Sequence, residues 1–429
     1  MTYIEAVDYI LQQLPMFTRI GGAAYKADLS RTIYLCEKLG NPHLAFRSIH
    51  IAGTNGKGSI ASFLASIFME SGAKTALFTS PHLRDFRERI TINGELIPQD
   101  FVTKFIQENK SSFEIIEPSF FEMSFALAAK WFSEQKVDIA IIETGMGGRL
   151  DSTNVVMPEL SIITNIGLDH QQFLGSTLAQ IAREKAGIIK PNIPVVIGEH
   201  QPETDSVFIE KAFEANASIY WADEMINIEN FSYDFENDVL KLRLKTSSGN
   251  VFDLNSPLAA EYETKNIKTV IAAIEVLKHL GYSLTDSMII DGIRNVIHHT
   301  GLKGRWQILS KNPLTVADIS HNEPGIGELM KQVGKMRYDH LHFVLGMVSD
   351  KDSHAILKLL PKEATYYFCR PNIPRGKDAY QLAAEANEFG LHGNVYSSVE
   401  EAFSAASASA SSSDMILVSG SAFVVAEIV

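Results

Sequence analysis

The chain predicts an α/β protein, a mostly parallel sheet domain with a phosphate-binding loop followed by a second, smaller open α/β domain. Three observations predict it. Apolar β-rich runs alternate with helical patterns along most of the 429 residues, the signature of parallel strands covered on both faces. The run Gly53-Thr54-Asn55-Gly56-Lys57-Gly58-Ser59 sits between a short apolar strand and an apolar helix. The alternation stops at His298–Gly304 (HHTGLKG) and then begins again, as expected of a chain too long for one core.

Taken in order, residues 1–17 carry Glu5 and Asp8 among apolar residues at helical spacing, with no basic leader or cleavage pattern. They are expected to form a structural helix and not an export peptide. Strands are expected at 48–52, 74–78, 138–143, 160–165 and 194–198, with helices at 56–71, 121–135 and 177–189. Short alternating segments over 217–254 predict a small antiparallel β insertion, after which helices resume at 262–280 and 285–298. This places one domain at 1–298 and the second at 299–429. The second is expected to hold strands at 305–309, 314–318, 341–346, 364–368, 393–396 and 414–419, and helices that include 323–335 and 378–389. The Ala/Ser-rich stretch 404–413 reads as the end of a surface helix and a loop.

Composition narrows the function. Net charge is −13, from 38 basic and 51 acidic side chains, which argues against a nucleic-acid partner. No apolar run approaches the ~20 residues of a membrane span. Two widely separated cysteines, Cys36 and Cys369, point to a reducing compartment without disulfides, so the expected location is the cytoplasm. An acidic protein that binds a triphosphate must offset its charge locally, and a divalent ion, Lys57 and a few arginines are the means.

In the glycine run, residues without Cβ let backbone N–H groups turn toward an anion, the following helix adds its positive end, and Lys57 supplies a mobile cation. The general loop reads G-x-x-x-x-G-K-[ST], whereas here Gly58 separates Lys57 from Ser59. Other strands also end in polar groups, where open α/β sheets bind ligands. The strand 74–78 leads into Ser80-Pro81-His82, 138–143 ends at Glu143, and 160–165 leads to His170. Ser80, Glu143 and His170 can converge on one Mg²⁺ beside the phosphates; oxygen chemistry alone favours Ser80 and Glu143 over the imidazole.

The ordered set GTNGKGS, TSPHL with Arg87-Glu88-Arg89-Ile90, ETGMGGRLDSTN, GLDHQQFLG and IAREKAGIIK resembles the folylpolyglutamate synthase/dihydrofolate synthase family of the Mur-ligase superfamily. The resemblance covers essentially the whole chain. It implies Ser80, Glu143 and His170 as magnesium ligands, for one or two ions, and Lys185 as a carbamylated lysine. Without the family, Lys185 reads as a helix-surface lysine paired with Glu184. Asn266, Arg305 and Asp318 match nucleotide contacts, and His321 a residue near the γ-phosphate or the incoming amino acid. Asp318-Ile319-Ser320-His321-Asn322 departs from the family's D-G-A-H-N at two positions. The pterin is expected near Ser80, Pro81, His82, Phe121 and Asp151, although Phe120 and Phe121 also fit a helix core.

The implied reaction is ATP-dependent addition of L-glutamate to dihydropteroate or reduced folates through an acyl phosphate, with Lys57, Lys185 and His321 in catalysis. A monomer closing at His298–Gly304 is expected. A peptidoglycan Mur ligase is the nearest rival, but Gly53 leaves little room before the phosphate loop for its sugar-nucleotide domain. A P-loop ATPase driving a partner is the other, and the run Ile139–Glu143 lacks the aspartate such proteins place at the strand end.

Overall fold

The computed structural model describes residues 1–13 and 28–429. Its largest sheet has eight strands in the order Glu95–Leu96, Ile90–Ile92, Thr75–Phe78, Ile139–Glu143, Arg47–Ala52, Leu160–Ile163, Val195–Ile197, Ile219–Trp221. The six from Thr75–Phe78 onward are parallel, and the two short edge strands are antiparallel.

The apolar runs in the sequence follow from burial on both faces. Ile49, Ile51, Ile141 and Ile162 pack toward the helices Lys57–Glu70 and Glu263–His279. Ala76, Phe78, Ala140 and Ile142 pack against Phe120–Glu134 on the other side. His50, buried in the middle strand, faces Thr153 Oγ1 at 2.8 Å. Register decides where ligands can bind. Ile51 lies level with both Glu143 and Ile162, so the loops after Ala52, Glu143 and Ile163 leave the sheet at one end.

Three antiparallel strands, Ile226–Asp234, Val239–Thr246 and Val251–Ser256, form a separate small sheet. The expected insertion therefore starts later than 217. Ile219–Trp221 instead extends the large sheet, pairing in parallel with Val195–Ile197, because its side chains close the core around Val207, Phe208 and Trp221.

A six-stranded sheet follows, ordered Gln307–Lys311, Leu314–Ala317, Met415–Ser419, Leu341–Gly346, Thr365–Cys369, Gly393–Val395, with only the first pair antiparallel. The Ala/Ser-rich segment is the end of helix Val399–Ser409 and its loop, as expected. The predicted helix 285–298 is two helices, Asp286–Arg294 and Val296–Thr300. Tyr3–Gln13 is helical, and the rest of the expected N-terminal helix, 14–17, lies outside the described residues. Among the described residues, no helix is long and apolar enough to cross a membrane.

Candidate active site

The phosphate loop is held open from behind. Thr54 N–H donates to Asn165 O (2.9 Å), Asn55 N–H to Asn165 Oδ1 (3.0 Å), and Thr164 Oγ1 to Asn55 O (2.6 Å). Two glycines are obligatory. Gly53 (φ +152°) backs onto Thr164, whose Oγ1 would lie 1.8 Å from a Cβ. Gly56 (φ +83°) backs onto Asn266, whose Oδ1 would lie 2.2 Å away. No side chain caps the helix that starts at Lys57, so its first N–H groups are free to meet an anion. Lys57 Nζ curls back to the carbonyls of Gly53 and Thr54, each at 3.1 Å.

Glu143, at the neighbouring strand end, is 3% exposed, and its Oε2 accepts the Ser80 N–H at 3.0 Å. Burial pushes its carboxyl up, opposed by Lys57, the Ser80 N–H, Arg305 and Arg89. Burial drives the His170 imidazole down to about 3, leaving it neutral with a lone pair to offer. Lys185 is not a surface lysine. It is buried, it donates to Gly53 O at 2.7 Å, and Glu184 pairs instead with Arg149. Burial first, and then Lys57, lower its pKa to about 7.

The second sheet brings its own residues to the same place. The Arg305 guanidinium reaches Gly58, 3.2 Å from where a Cβ would stand. Asp318 accepts the Tyr262 hydroxyl (2.6 Å) and the Trp306 N–H (2.9 Å). In the turn that carries Ile319, Asp318 Oδ1 takes the Ser320 N–H at 2.9 Å. His321 Nδ1 must donate to Ile319 O (3.0 Å), which leaves Nε2 facing Asp169 Oδ2 at 3.7 Å.

Two cavities meet here. One of about 540 Å³ surrounds residues 53–59 and reaches Asn266, Arg305 and Asp318. The other, about 260 Å³, is lined by Phe120, Phe121, Met146, Asp151, Val348 and Phe423 among others. Ser80, Pro81, Gly145, Met146, His170, Ile319 and His321 belong to both. Phe121 is half-buried and faces Gly145, while Phe120 is a core residue packed on Phe86. Asp151 is committed to its own loop, where it takes the Thr153 and Met146 N–H groups. His82 stands behind the apolar cavity, its Nδ1 accepting from Arg89 Nε at 2.7 Å; Arg89 is the residue that lines it.

Asp169, Asn322, Lys351 and Arg89 belong to the site, and sequence reasoning gave none of them a role. Asp169 lay within the GLDHQ motif beside His170, so a signal was present. Lys351 has no local motif: only the fold brings it from Ser349–Lys351 onto Asp169, with which it pairs. Burial pushes the Asp169 carboxyl up, but His170, His321 and Lys351 outweigh it and hold it well below the ordinary range. Because His170 is neutral at ordinary pH, Lys351 is the persistent countercharge.

Comparison with known proteins follows this geometry. Residues 51–274 match the Mur ligase middle domain, and residues 304–422 match the Mur ligase glutamate ligase domain. The folylpolyglutamate synthase of Lacticaseibacillus casei is 33% identical over 426 residues, 94% of this chain and 93% of that protein. The chain belongs to the folylpolyglutamate synthase/dihydrofolate synthase family of Mur ligases. Within that family, Escherichia coli FolC in complex with DHPP and ADP is similar in structure, with a TM-score of 0.87 at 29% identity over 100% of this chain and 97% of that one. A bifunctional folylpolyglutamate synthase/dihydrofolate synthase with Mn, AMPPNP and L-glutamate bound gives 0.82 at 27% identity, covering 100% and 97%. The family resemblance and the α/β fold class read from the sequence are both borne out.

Proposed function

We propose that this protein adds L-glutamate to the carboxylate of both dihydropteroate and reduced folates, using ATP and Mg²⁺ and passing through an acyl phosphate. The observation that carries this reading is the shared wall of the two cavities. A phosphate-binding cavity opens onto an apolar cavity of a size and lining suited to a flat aromatic acid. An acid lying there with its carboxylate at Ser80 and Gly145 faces the terminal phosphate of a nucleotide on the loop.

In the first step a carboxylate oxygen of the acid attacks the γ-phosphorus, the bond to the β-phosphate oxygen breaks, and ADP leaves. Positioning and charge neutralisation are most of the task. Lys57 and Arg305 are the mobile cations, and Asn266 and Asp318 orient the nucleotide side of the cleft. In the second step the glutamate amine attacks the acyl carbon and phosphate departs. His321 suits the proton this sheds: its Nδ1 is spent on Ile319 O, and Asp169 stands ready to pair the imidazolium formed at Nε2.

For the divalent ion, the donors fit. Glu143 offers a buried carboxylate, His170 a neutral imidazole and Ser80, whose backbone N–H bonds Glu143, a hydroxyl. Among the described residues no three His, Cys, Asp or Glu side chains cluster as a metal centre; phosphate oxygens and water would supply the remaining ligands of a Mg²⁺ ion. An ion held there would neutralise phosphate charge. Lys185, as a carbamate, would place an anion between the cations Lys57 and Lys351, which oppose its own protonation.

We further assign the domain division to the turn that follows the helix Val296–Thr300, a few residues past the expected 298–299, with Gly301 (φ +67°) and Gly304 (φ +71°) as the pivot. A cytoplasmic monomer fits this reading. The test is mass spectrometry of products from ATP, Mg²⁺ and L-glutamate with either 7,8-dihydropteroate or a monoglutamyl tetrahydrofolate. Glutamate on both acids supports the full proposal, glutamate on one names a single activity, and glutamate on neither overturns it.

A further inference from the structure

Glu263 is a carboxylate with no exposure to solvent, at the first turn of the helix Glu263–His279. Among the described residues no lysine or arginine forms an ion pair with it. Burial raises its carboxyl to about 7, against the pull of Asn266, Ser59 and Arg305, and a buried polar group is costly unless its oxygens are bonded, as both are here. Oε1 accepts the Ser59 hydroxyl at 2.7 Å, and Oε2 accepts Asn266 Nδ2 at 2.8 Å.

Both partners shape the phosphate loop from beneath. Ser59 is buried in the first turn of the helix that receives the phosphates. Asn266 lies so close under Gly56 that no Cβ would fit between them. The residue preceding Glu263 in the chain, Tyr262, donates its hydroxyl to Asp318 of the second sheet at 2.6 Å. One short turn therefore grips the loop from below and the second sheet from the side.

We propose that Glu263 is a positioning residue for the nucleotide, holding Ser59 and Asn266 so that the phosphate loop keeps its binding shape where the second sheet docks. This rests on the nucleotide reading of the loop, and the test separates the two. Calorimetric titration of the purified full chain with ADP and Mg²⁺ comes first; no binding by the unsubstituted protein would sink the nucleotide reading itself. Given binding, Glu263→Ala is expected to weaken it roughly tenfold or more, the scale of losing a hydrogen bond to a buried charged group. Glu263→Gln can turn its carbonyl to accept from Asn266 Nδ2 and its amide to donate to the Ser59 hydroxyl, which can also accept, and is expected to stay within about twofold of the parent.

Should the alanine variant not fold, Glu263→Met fills the same space without accepting hydrogen bonds and is expected to show the same loss. The melting temperature of each variant is recorded in parallel. A lowered melting temperature with unchanged ADP affinity in the alanine or methionine variant would mean a merely structural residue and overturn the proposal. Equal loss in the glutamine variant would also overturn it, since the shape-preserving bonds would then not be the cause.

Discussion

Asn55 of the phosphate loop and Asn322 of the second sheet's first helix exchange two amide hydrogen bonds, at 3.0 and 2.9 Å. The same Asn322 caps the helix Glu323–Val333 through the Gly325 N–H at 2.9 Å and donates to Asp169 at 3.1 Å. One side chain thus joins a helix cap to the contact between the two sheets. Asn322→Asp keeps the cap but sets a second carboxylate beside Asp169. The buried like charge and the lost donor to Asn55 and Asp169 should therefore lower stability as well as cut turnover about tenfold or more, whereas Asn322→Ala loses the cap, at roughly 1 kcal/mol, without adding a charge. Urea denaturation and steady-state rates distinguish them; wild-type turnover in Asn322→Asp would show the interdomain pair to be dispensable.

Lys57 is the mobile cation of the loop, resting on two carbonyls it must leave to meet a phosphate. Lys57→Ala should lower kcat by ~10²–10³, as for loss of a single electrostatic donor in a transition state. Its melting temperature should change little, because the side chain is half-exposed and its two hydrogen bonds go to carbonyls of its own loop. Rate assays beside a thermal melt check both halves.

Phe121 faces Gly145 across the shared wall of the cavities; a Cβ on Gly145 would come within 2.5 Å of the ring. Gly145→Ala must push the ring into the apolar cavity, and Phe121→Ala removes a stacking face. Both should raise KM for the pterin acid about tenfold and leave KM for ATP within about twofold. Equal effects on both substrates would take Phe121 out of the acid's binding site.

How far the sequence reached depends on whether a residue's partner lies nearby in the chain. The strands 47–52, 139–143 and 160–163 were legible because burial on both faces makes them continuously apolar, and the glycines at 53 and 56 because each answers to a positive φ. Ile219–Trp221 was misread because three residues carry no periodicity, and only its neighbour Val195–Ile197 decides which sheet it joins. Without the family resemblance Lys185 reads as a surface residue, because helical spacing cannot reveal its buried contact with Gly53. Lys351 was invisible because its only signal is Asp169, 182 residues away.

Lys185 makes a prediction about pH. Its amine is lowered from 10.5 to about 7 in the folded chain, by burial first and Lys57 second. Below pH 7 it is protonated both folded and unfolded, and folding bears the full cost of the buried charge. Between pH 7 and 10.5 the unfolded chain binds more protons, so stability rises with pH through that window. In CO₂-free buffer the stability of Lys185→Met relative to wild type should therefore decline from pH 7 to 10. The neutral amine is also the form that captures CO₂, so a ¹³C carbamate signal should grow above pH 7 and be absent from Lys185→Met. A signal that persists in that variant would assign the carbamate to another lysine.

The pair Lys351–Asp169 crosses between the sheets with side chains only 8% and 9% exposed. Removing one partner of such a pair strands a buried charge, at a cost of about 3–5 kcal/mol, more than the pair itself contributes. Lys351→Met should therefore be strongly destabilised, and adding Asp169→Asn should recover much of the loss. The pH dependence has a definite sign. In wild type the depressed Asp169 carboxyl contributes stability above its ordinary value near 3.8 and loses it as pH falls. In Lys351→Met the same carboxyl, buried without its cation, is raised, so acid relieves its penalty. The stability gap between the two proteins should accordingly narrow from pH 7 toward pH 5, as read by urea denaturation at each pH. A gap that stays constant, with no rescue by Asp169→Asn, would mean that Lys351 supports the interface by packing and not by charge.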